Sequence, residues 1–316
     1  MTETDLPTPG NAPSEKKRSH ALGLLSLGLF VLIAAVITWR VPHLFRAIQE
    51  ARNLGPEAFQ TNGFDLPVEL LEDPSFIRWG VPGQIIAVDN PAVWGQEKVE
   101  ELAKNFRKRF LISSSEVVGV RFGSEARAYP LRLLQWHEVV NDVVGGIPIC
   151  VVYHPLSETI CVFKRRADST TGKPLLFGNS GLILDCCMLL NDRKGTGNRK
   201  QETLWSPVDG RALYGPLAGE NLEFLPFSLT TWSEWLEAAP ETVVMAMLES
   251  HRNYYKKEPY LPYRQRDLPK YPYSPEAPEG RKKLSRVKVV GQGSNRSATP
   301  TDGSDLKLNS EPFTVS

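Results

Sequence analysis

Two histidines and several carboxylates lie close together near the middle of the sequence. His137, Glu138 and Asp142 come just before a Gly145-Gly146 pair, and His154 follows it. If the glycines fold the chain back, His137, His154 and Asp142 approach one another, and imidazole with carboxylate is a ligand set for a divalent metal ion. The alternative is structural: His137 and Asp142 hydrogen-bond the turn. The spacing alone leaves both interpretations open.

A serine nucleophile is the second chemistry that this region suggests. Ser157 would attack a substrate, with His154 or His137 as the base and Glu158 or Glu138 orienting the imidazole. The loop is not the G-x-S-x-G elbow of many serine hydrolases, and a serine that only caps the turn is the alternative. The candidate catalytic residues are therefore His154, Ser157, His137 and Glu138.

Four cysteines are too few for a disulfide scaffold, and they lack the two separated pairs of a structural zinc site. Cys150 and Cys161 are symmetric about Pro155-Leu156, so a regular hairpin would place them on facing strands. They either form a disulfide or stay as two buried thiols. Cys186 and Cys187 are neighbours, whose side chains would point to opposite faces of a strand.

The elements that position these residues are predicted to be mostly strands. Two β-rich runs within 147–166 flank a short polar loop that contains His154, Ser157 and Glu158. Gly123-Ser124-Glu125 and Gly145-Gly146 are hairpin signals, and Gly, Pro or Asn recurs about every ten residues. This pattern predicts an α+β fold with a mainly antiparallel β domain and a few short helices.

Arg127 and Tyr129 alternate with alanines in the strand run 126–131. The alternation places both side chains on one face of the strand. There Arg127 is expected either to hold a ligand carboxylate or to form an ion pair with Glu138 or Asp142.

Two helices are predicted in the globular part. Apolar residues recur at helical spacing between 91 and 110. Thr231-Trp232-Ser233-Glu234 has the capping-box pattern, and Pro240 ends the second helix. Trp232, Trp235 and Trp205 are expected in the core.

The amino-terminal part has the pattern of a membrane anchor. Residues 1–20 are polar and predict a disordered cytoplasmic head. Residues 21–39 are uncharged and long enough to cross a bilayer, so they predict a single transmembrane helix; a cleaved signal peptide is the alternative. Residues 40–64 would form a juxtamembrane linker, with the large carboxy-terminal part outside the cytoplasm.

The remaining chain is predicted to form one globular domain over 65–290, followed by a disordered tail over 291–316. The 37 Lys and Arg residues balance 36 Asp and Glu residues, giving a net charge of +1. This balance argues against nucleic acid as a partner. The predicted partner is the membrane, through 21–39, and no protein or small-molecule partner is identified.

Eight segments occur in an order that resembles a known family. They are I-A-V-D-N-P at 86–91, E-V-V-G-V at 116–120, A-R-A-Y-P-L at 126–131, H-E-V-V-N-D at 137–142, G-G-I-P-I-C-V-V-Y-H-P-L-S, F-G-N-S-G-L, L-W-S-P-V-D-G-R-A-L-Y-G-P and T-W-S-E-W. Together they resemble the domain of unknown function 3179, a bacterial and archaeal family often found at the cell envelope. The resemblance spans about 65–290.

The resemblance implies a place for chemistry but not the chemistry itself. Typical members carry Cys-Pro-Leu-Cys, sometimes with selenocysteine, which suggests thiol or selenol redox activity. Here the matching residues are His154-Pro155-Leu156-Ser157, and neither imidazole nor hydroxyl can form a disulfide. We therefore expect a non-redox binding or assembly module, with a His/carboxylate enzyme at 137–158, either with or without a divalent metal, as the alternative.

Overall fold

The computed structural model describes residues 59–104 and 111–261 with their side chains, and the backbone of short strands at 287–290, 297–300 and 313–314. One compact unit begins at Gln60. Within these described residues no helix is long and apolar enough to cross a membrane. The transmembrane helix predicted over 21–39 and the head over 1–20 lie outside the described residues.

Three five-stranded sheets make up the domain. The first contains, in spatial order, β1 (Ile77–Arg78), β9 (Phe177–Leu184), β10 (Cys187–Asp192), β11 (Leu204–Trp205) and β12 (Ala212–Tyr214). The second contains β13 (Glu223–Phe224), β8 (Thr159–Lys164), β7 (Ile147–His154), β6 (Val139–Val144) and β2 (Val88–Asp89). The third contains β14 (Ser228–Thr231), β4 (Glu116–Phe122), β5 (Glu125–Pro130), β15 (Val243–Met245) and β3 (Val93–Trp94).

The strand pairs within these three sheets are antiparallel except β2–β6 and β5–β15. A further sheet joins β16 (Val287–Val290), β17 (Ser297–Pro300) and β18 (Phe313–Thr314); the last two lie in the stretch predicted to be a disordered tail. The α-helices of the described residues are α1 (Val68–Leu71), α2 (Gln96–Lys104), α3 (Leu131–His137) and α4 (Trp232–Ala238). The predicted class, mainly antiparallel sheet with a few short helices, is confirmed.

The local turn and cap signals are also confirmed. Phe122 pairs with Glu125 across the Gly123-Ser124 turn, and Val144 pairs with Ile147 across two glycines with φ of 57° and 74°. Both glycines adopt the left-handed conformation that a tight hairpin needs. At the start of α4, the Thr231 hydroxyl accepts a hydrogen bond from Glu234 N, and the Glu234 carboxylate accepts one from Thr231 N.

The second sheet is the middle layer of the domain. On one face Ile149, Val151 and Tyr153 join a core shared with the third sheet. On the other face Cys150 and Val152 join a core shared with the first sheet. Because both faces are covered, β7 is apolar along almost its whole length rather than alternating with polar residues. Packing on both faces therefore holds the end of β7 and the start of β6 in place in the interior of the domain.

The cysteines of β7 and β8 are offset by two residues instead of lying opposite each other. Cys150 pairs with Phe163, and Cys161 pairs with Val152. The four-residue loop 155–158 places the centre of the hairpin between Leu156 and Ser157, one residue beyond the symmetric point that the cysteines suggest. All four cysteines lie among the described residues, and none of them forms a disulfide.

Candidate functional site

A cavity of about 230 Å³ lies where α3 ends, between the second sheet, the first sheet and the segment 79–85. Its polar wall residues include Glu138, His154, Asn179 and Tyr260. Its apolar wall residues are Trp79, Val81, Ile85, Leu156, Leu182, Ile183 and Met188. The cavity therefore adjoins the loop 155–158 between β7 and β8.

Glu138 is held in an uncommon backbone conformation at the end of α3. Its φ is 59° and its ψ is −32°, a combination that side-chain-bearing residues rarely adopt. Its N–H donates to Leu134 O at 2.6 Å, and its carbonyl accepts from Tyr153 N at 2.8 Å. Two neighbouring elements thus fix the residue, and strained residues of this kind concentrate at functional sites.

The side chain of Glu138 is 2% exposed. Asn179 Nδ2 donates a hydrogen bond to its carboxyl group, and Tyr260 hydrogen-bonds it as well. Burial raises the pKa of Glu138 to about 8, against the lowering effect of these two hydrogen bonds. The group is therefore mostly protonated at neutral pH and can donate a hydrogen bond itself.

His154 ends β7 and anchors the neighbouring loop. Its Nδ1 lies 2.8 Å from Ser157 Oγ, which in turn lies 2.8 Å from Thr159 Oγ1. Cys187 Sγ lies 3.9 Å from Ser157 Oγ and 3.6 Å from Thr159 Oγ1. Burial lowers the pKa of His154 to about 3, so the imidazole is neutral and is a weak base. The His154–Ser157 contact required by the nucleophile hypothesis exists, but the base is poorly suited to it.

The ring nitrogens of His137 have partners outside this chain of contacts. Its Nδ1 lies 2.8 Å from Ile86 O and its Nε2 lies 2.6 Å from the Tyr255 hydroxyl. Burial, with a smaller contribution from His251, lowers the pKa of His137 to about 4. The two ring nitrogens therefore tie the end of α3 to two different segments, Nδ1 to the one that contains Ile86 and Nε2 to the one that contains Tyr255.

Asp142 is occupied by a buried ion pair. Arg127 Nη1 donates to one carboxylate oxygen at 2.6 Å, and the Tyr129 hydroxyl donates to the other at 2.7 Å. The pairing of Arg127 with Asp142, one of the two partners predicted, is confirmed; Tyr129 lies on the same side of the strand, as expected. In the described part of the chain, no group of three or more His, Cys, Asp or Glu is placed to hold a metal ion.

The cysteines nearest the loop are protected thiols. Burial raises the pKa of Cys150 to about 12 and that of Cys187 to about 11. Burial and the two neighbouring thiols also raise the pKa of Cys161. Since the thiolate is the reactive form, these groups are poor nucleophiles at neutral pH.

Sequence patterns did not identify Asn179 or Tyr260 as site residues. Asn179 lies on β9, in the F-G-N-S-G-L segment, and Tyr260 lies in the Tyr/Pro-rich segment after β15. Each is distant from Glu138 along the chain, and neither belongs to a spacing pattern. For Tyr260, the sequence signal is the high density of tyrosines after residue 250.

The comparisons with known proteins support the family and no specific activity. No curated protein and no solved structure matches the chain. A family model described as a protein of unknown function, DUF3179, matches residues 83–310, well over half of the chain. The match contains α3, the hairpin β7–β8 and the cavity wall from Gln84 onward. The chain belongs to the DUF3179 family.

Proposed function

We propose that this chain is a membrane-anchored binding protein of the cell envelope whose Glu138 cavity takes an uncharged small molecule. The observation that carries the proposal is the buried Glu138 carboxyl group in a cavity wall, protonated at neutral pH and hydrogen-bonded by Asn179 and Tyr260. Raised pKa values at cavities are a common property of functional sites.

The cavity wall defines the ligand's chemistry. At neutral pH both Glu138 and His154 are uncharged, so a charged ligand would lose its hydration without gaining a counter-charge. Ile85, Leu156 and Met188 supply apolar surface. A ligand with a carbonyl-like acceptor for the Glu138 proton and a compact apolar body matches these groups.

The binding role is favoured over dithiol redox chemistry because of the thiols' surroundings. Cys150, Cys161 and Cys187 are buried, with raised pKa values. Ser157, half-buried in the loop, stands in place of sulfur. Insulin-reduction and peroxide-consumption assays should therefore show no rate that depends on Cys150 or Cys161.

The membrane part of the proposal is supported by the uncharged run 21–39 and by the short basic head that precedes it. The head would lie in the cytoplasm and the domain outside it, at the cytoplasmic membrane. Fractionation and amino-terminal sequencing of the mature protein test this placement. A soluble mature chain that begins near residue 40 would overturn it.

Fragment binding tests the cavity itself. Saturation-transfer NMR on the purified full-length chain would compare neutral benzamide and cyclohexanone with the charged fragments benzoate and benzylamine. We expect the neutral pair to bind and the charged pair not to bind. Leu156→Trp, which fills the cavity, should remove the signal, whereas Val68→Trp, at an exposed position outside the cavity wall, should keep it. Equal signals in both variants would refute the proposal.

An acid–base enzyme is the second candidate function, and the pKa of Glu138 favours it. A carboxyl group that titrates at about 8 is poised to give and take a proton near neutral pH. Glu138→Gln separates the two functions, since glutamine keeps the shape and a donor but cannot transfer a proton. Retained ligand binding with lost turnover would indicate the enzyme, provided that a substrate reacts with the unmodified protein.

A further inference from the structure

A second cavity, of about 320 Å³, opens beside the first. It lies between the segment 82–87, the neighbouring strands β9 and β10, and the loop that follows β10. Ile85 and Asn179 belong to both cavity walls, but Glu138 and His154 line only the first. The second cavity is thus a separate space with its own chemistry.

Asn191, in the wall of this cavity, has a hydrogen-bond acceptor that the described residues leave unused. The residue is 3% exposed and lies in the wall. Its Nδ2 donates to Glu202 Oε2 at 2.7 Å, which fixes the amide orientation. Its Oδ1 is buried and, among the described residues, has no hydrogen-bond partner. Buried polar atoms are almost always paired, so a ligand with an N–H or O–H group would complete the site.

The wall also carries separated opposite charges. Glu202 is 8% exposed and accepts hydrogen bonds from Asn191 and from Lys194 N. Arg193 is neutralised by its ion pair with Asp89. Arg199 stacks on the Phe64 ring, with Cζ 5.9 Å from the centroid, and takes part in none of the ion pairs found in the described part of the chain.

These features select a ligand that has both signs of charge. Arg199 offers a guanidinium fork for a carboxylate. Asn191 Oδ1 and the Glu202 carboxylate offer acceptors for an ammonium group. Pro82, Ile85 and Ile86 provide apolar surface beside them. A simple anion would leave Asn191 Oδ1 unpaired unless it carried a proton, and a simple cation would face Arg199.

We propose that this second cavity binds a free amino acid with a small apolar side chain. Arg199 holds its carboxylate, Asn191 and Glu202 hold its ammonium group, and the segment 82–87 covers its side chain. The proposed ligand contacts use neither Glu138 nor His154, so this proposal does not rest on the function proposed for the first cavity.

Isothermal titration of the purified full-length chain tests this assignment with glycine, L-alanine, L-valine and L-leucine. We expect at least one of the three side-chain-bearing amino acids to bind. Its amide, which lacks the carboxylate, and its N-acetyl form, which lacks the ammonium group, should each bind at least about tenfold more weakly. If none of the four amino acids binds, or if the amide binds as tightly as its amino acid, the proposal is wrong. Binding of inorganic phosphate with no response to amino acids would also overturn it, in favour of a simple anion site.

Two charge-removing variants locate the site. Arg199→Gln should weaken amino-acid binding by at least about tenfold. Lys200→Gln, the neighbouring cation outside the cavity wall, should leave it unchanged. Equal losses in the two variants would show a general charge effect and refute the assignment. Glu138→Gln should keep amino-acid binding. This variant therefore separates a loss of ligand binding in the first cavity from a loss of amino-acid binding in the second.

Discussion

Replacing Glu138 with glutamine should change the pH dependence of stability in a narrow and calculable window. The ordinary pKa of the glutamate carboxyl group is 4.5, and burial raises it to about 8 in the folded protein. The folded state therefore holds this proton more tightly than the unfolded state does. The stability contribution is fully present below pH 4.5 and is lost as the pH rises through 8.

Other buried groups make the lower part of this range difficult to interpret. Burial raises the pKa of Asp192 to about 6, so its contribution also falls with rising pH up to that value. Burial lowers the pKa of His137 to about 4 and that of His154 to about 3. Their contributions run the other way and are complete above about pH 6.5. Between pH 6.5 and 8, Glu138 therefore contributes more than the other three groups to the change in the free energy of unfolding.

The expected size follows from the width of this window. One pH unit corresponds to about 1.4 kcal/mol for one proton, so the folded protein loses about 2 kcal/mol between pH 6.5 and 8 because of Glu138. Urea unfolding followed by tryptophan fluorescence at several pH values would measure it. Glu138→Gln should not show this loss, and Glu223→Gln, at an exposed ion-paired carboxylate, should behave like the unmodified protein.

The refuting result is a constant difference in unfolding free energy between the unmodified protein and Glu138→Gln across this window. That result would mean that Glu138 is ionised in the folded protein at neutral pH. The cavity would then carry a negative charge, and the argument for an uncharged ligand would be lost.

Three further predictions concern packing, the buried ion pair and the thiols. Asp142→Asn weakens the contact with Arg127 and should lower the free energy of unfolding in urea by about 3 kcal/mol. Glu223→Gln, at an exposed ion pair, should lower it by less than about 1 kcal/mol. Similar losses in the two variants would contradict the burial of the Arg127–Asp142 pair. Gly119→Ala places a methyl group against the Trp235 ring and should cost about 1–3 kcal/mol, whereas Gly95→Ala, with no atom within 4 Å, should cost less. Calorimetry would show the order of the two losses, and the reverse order would contradict the packing. Mass spectrometry after iodoacetamide treatment of the native protein at about pH 8 should find Cys150, Cys161 and Cys187 unmodified until urea is added; rapid labelling of any of them would contradict their protection.

The parts of the fold that follow from short-range chemistry were predictable. The turns at Gly123-Ser124 and Gly145-Gly146 need left-handed or tight backbone geometry, and the Thr231 capping box uses residues only three apart. The pairing of Arg127 with Asp142 was one of two predicted outcomes, because strand alternation fixes the face on which each side chain lies. The order of sheets and their packing depend on long-range contacts that no local pattern specifies.

The candidate site was only partly predictable for the same reason. The loop after β7 and Glu138 were identified, and both border the cavity. The partners Asn179 and Tyr260 come from distant elements, so their approach is a consequence of the tertiary fold. The metal hypothesis placed His137, Asp142 and His154 together. In the structure His137 instead contacts Tyr255 and Asp142 contacts Arg127, while His154 contacts Ser157.

The central claim is that Glu138 binds an uncharged ligand through its own proton. The most direct test is the affinity of the neutral fragment that binds the full-length chain, measured from pH 6 to 9. For a pKa of about 8, the affinity should be constant below pH 7 and about tenfold lower at pH 9, and Glu138→Gln should abolish this dependence. An affinity that does not change with pH, or that changes equally in Glu138→Gln, would contradict the claim.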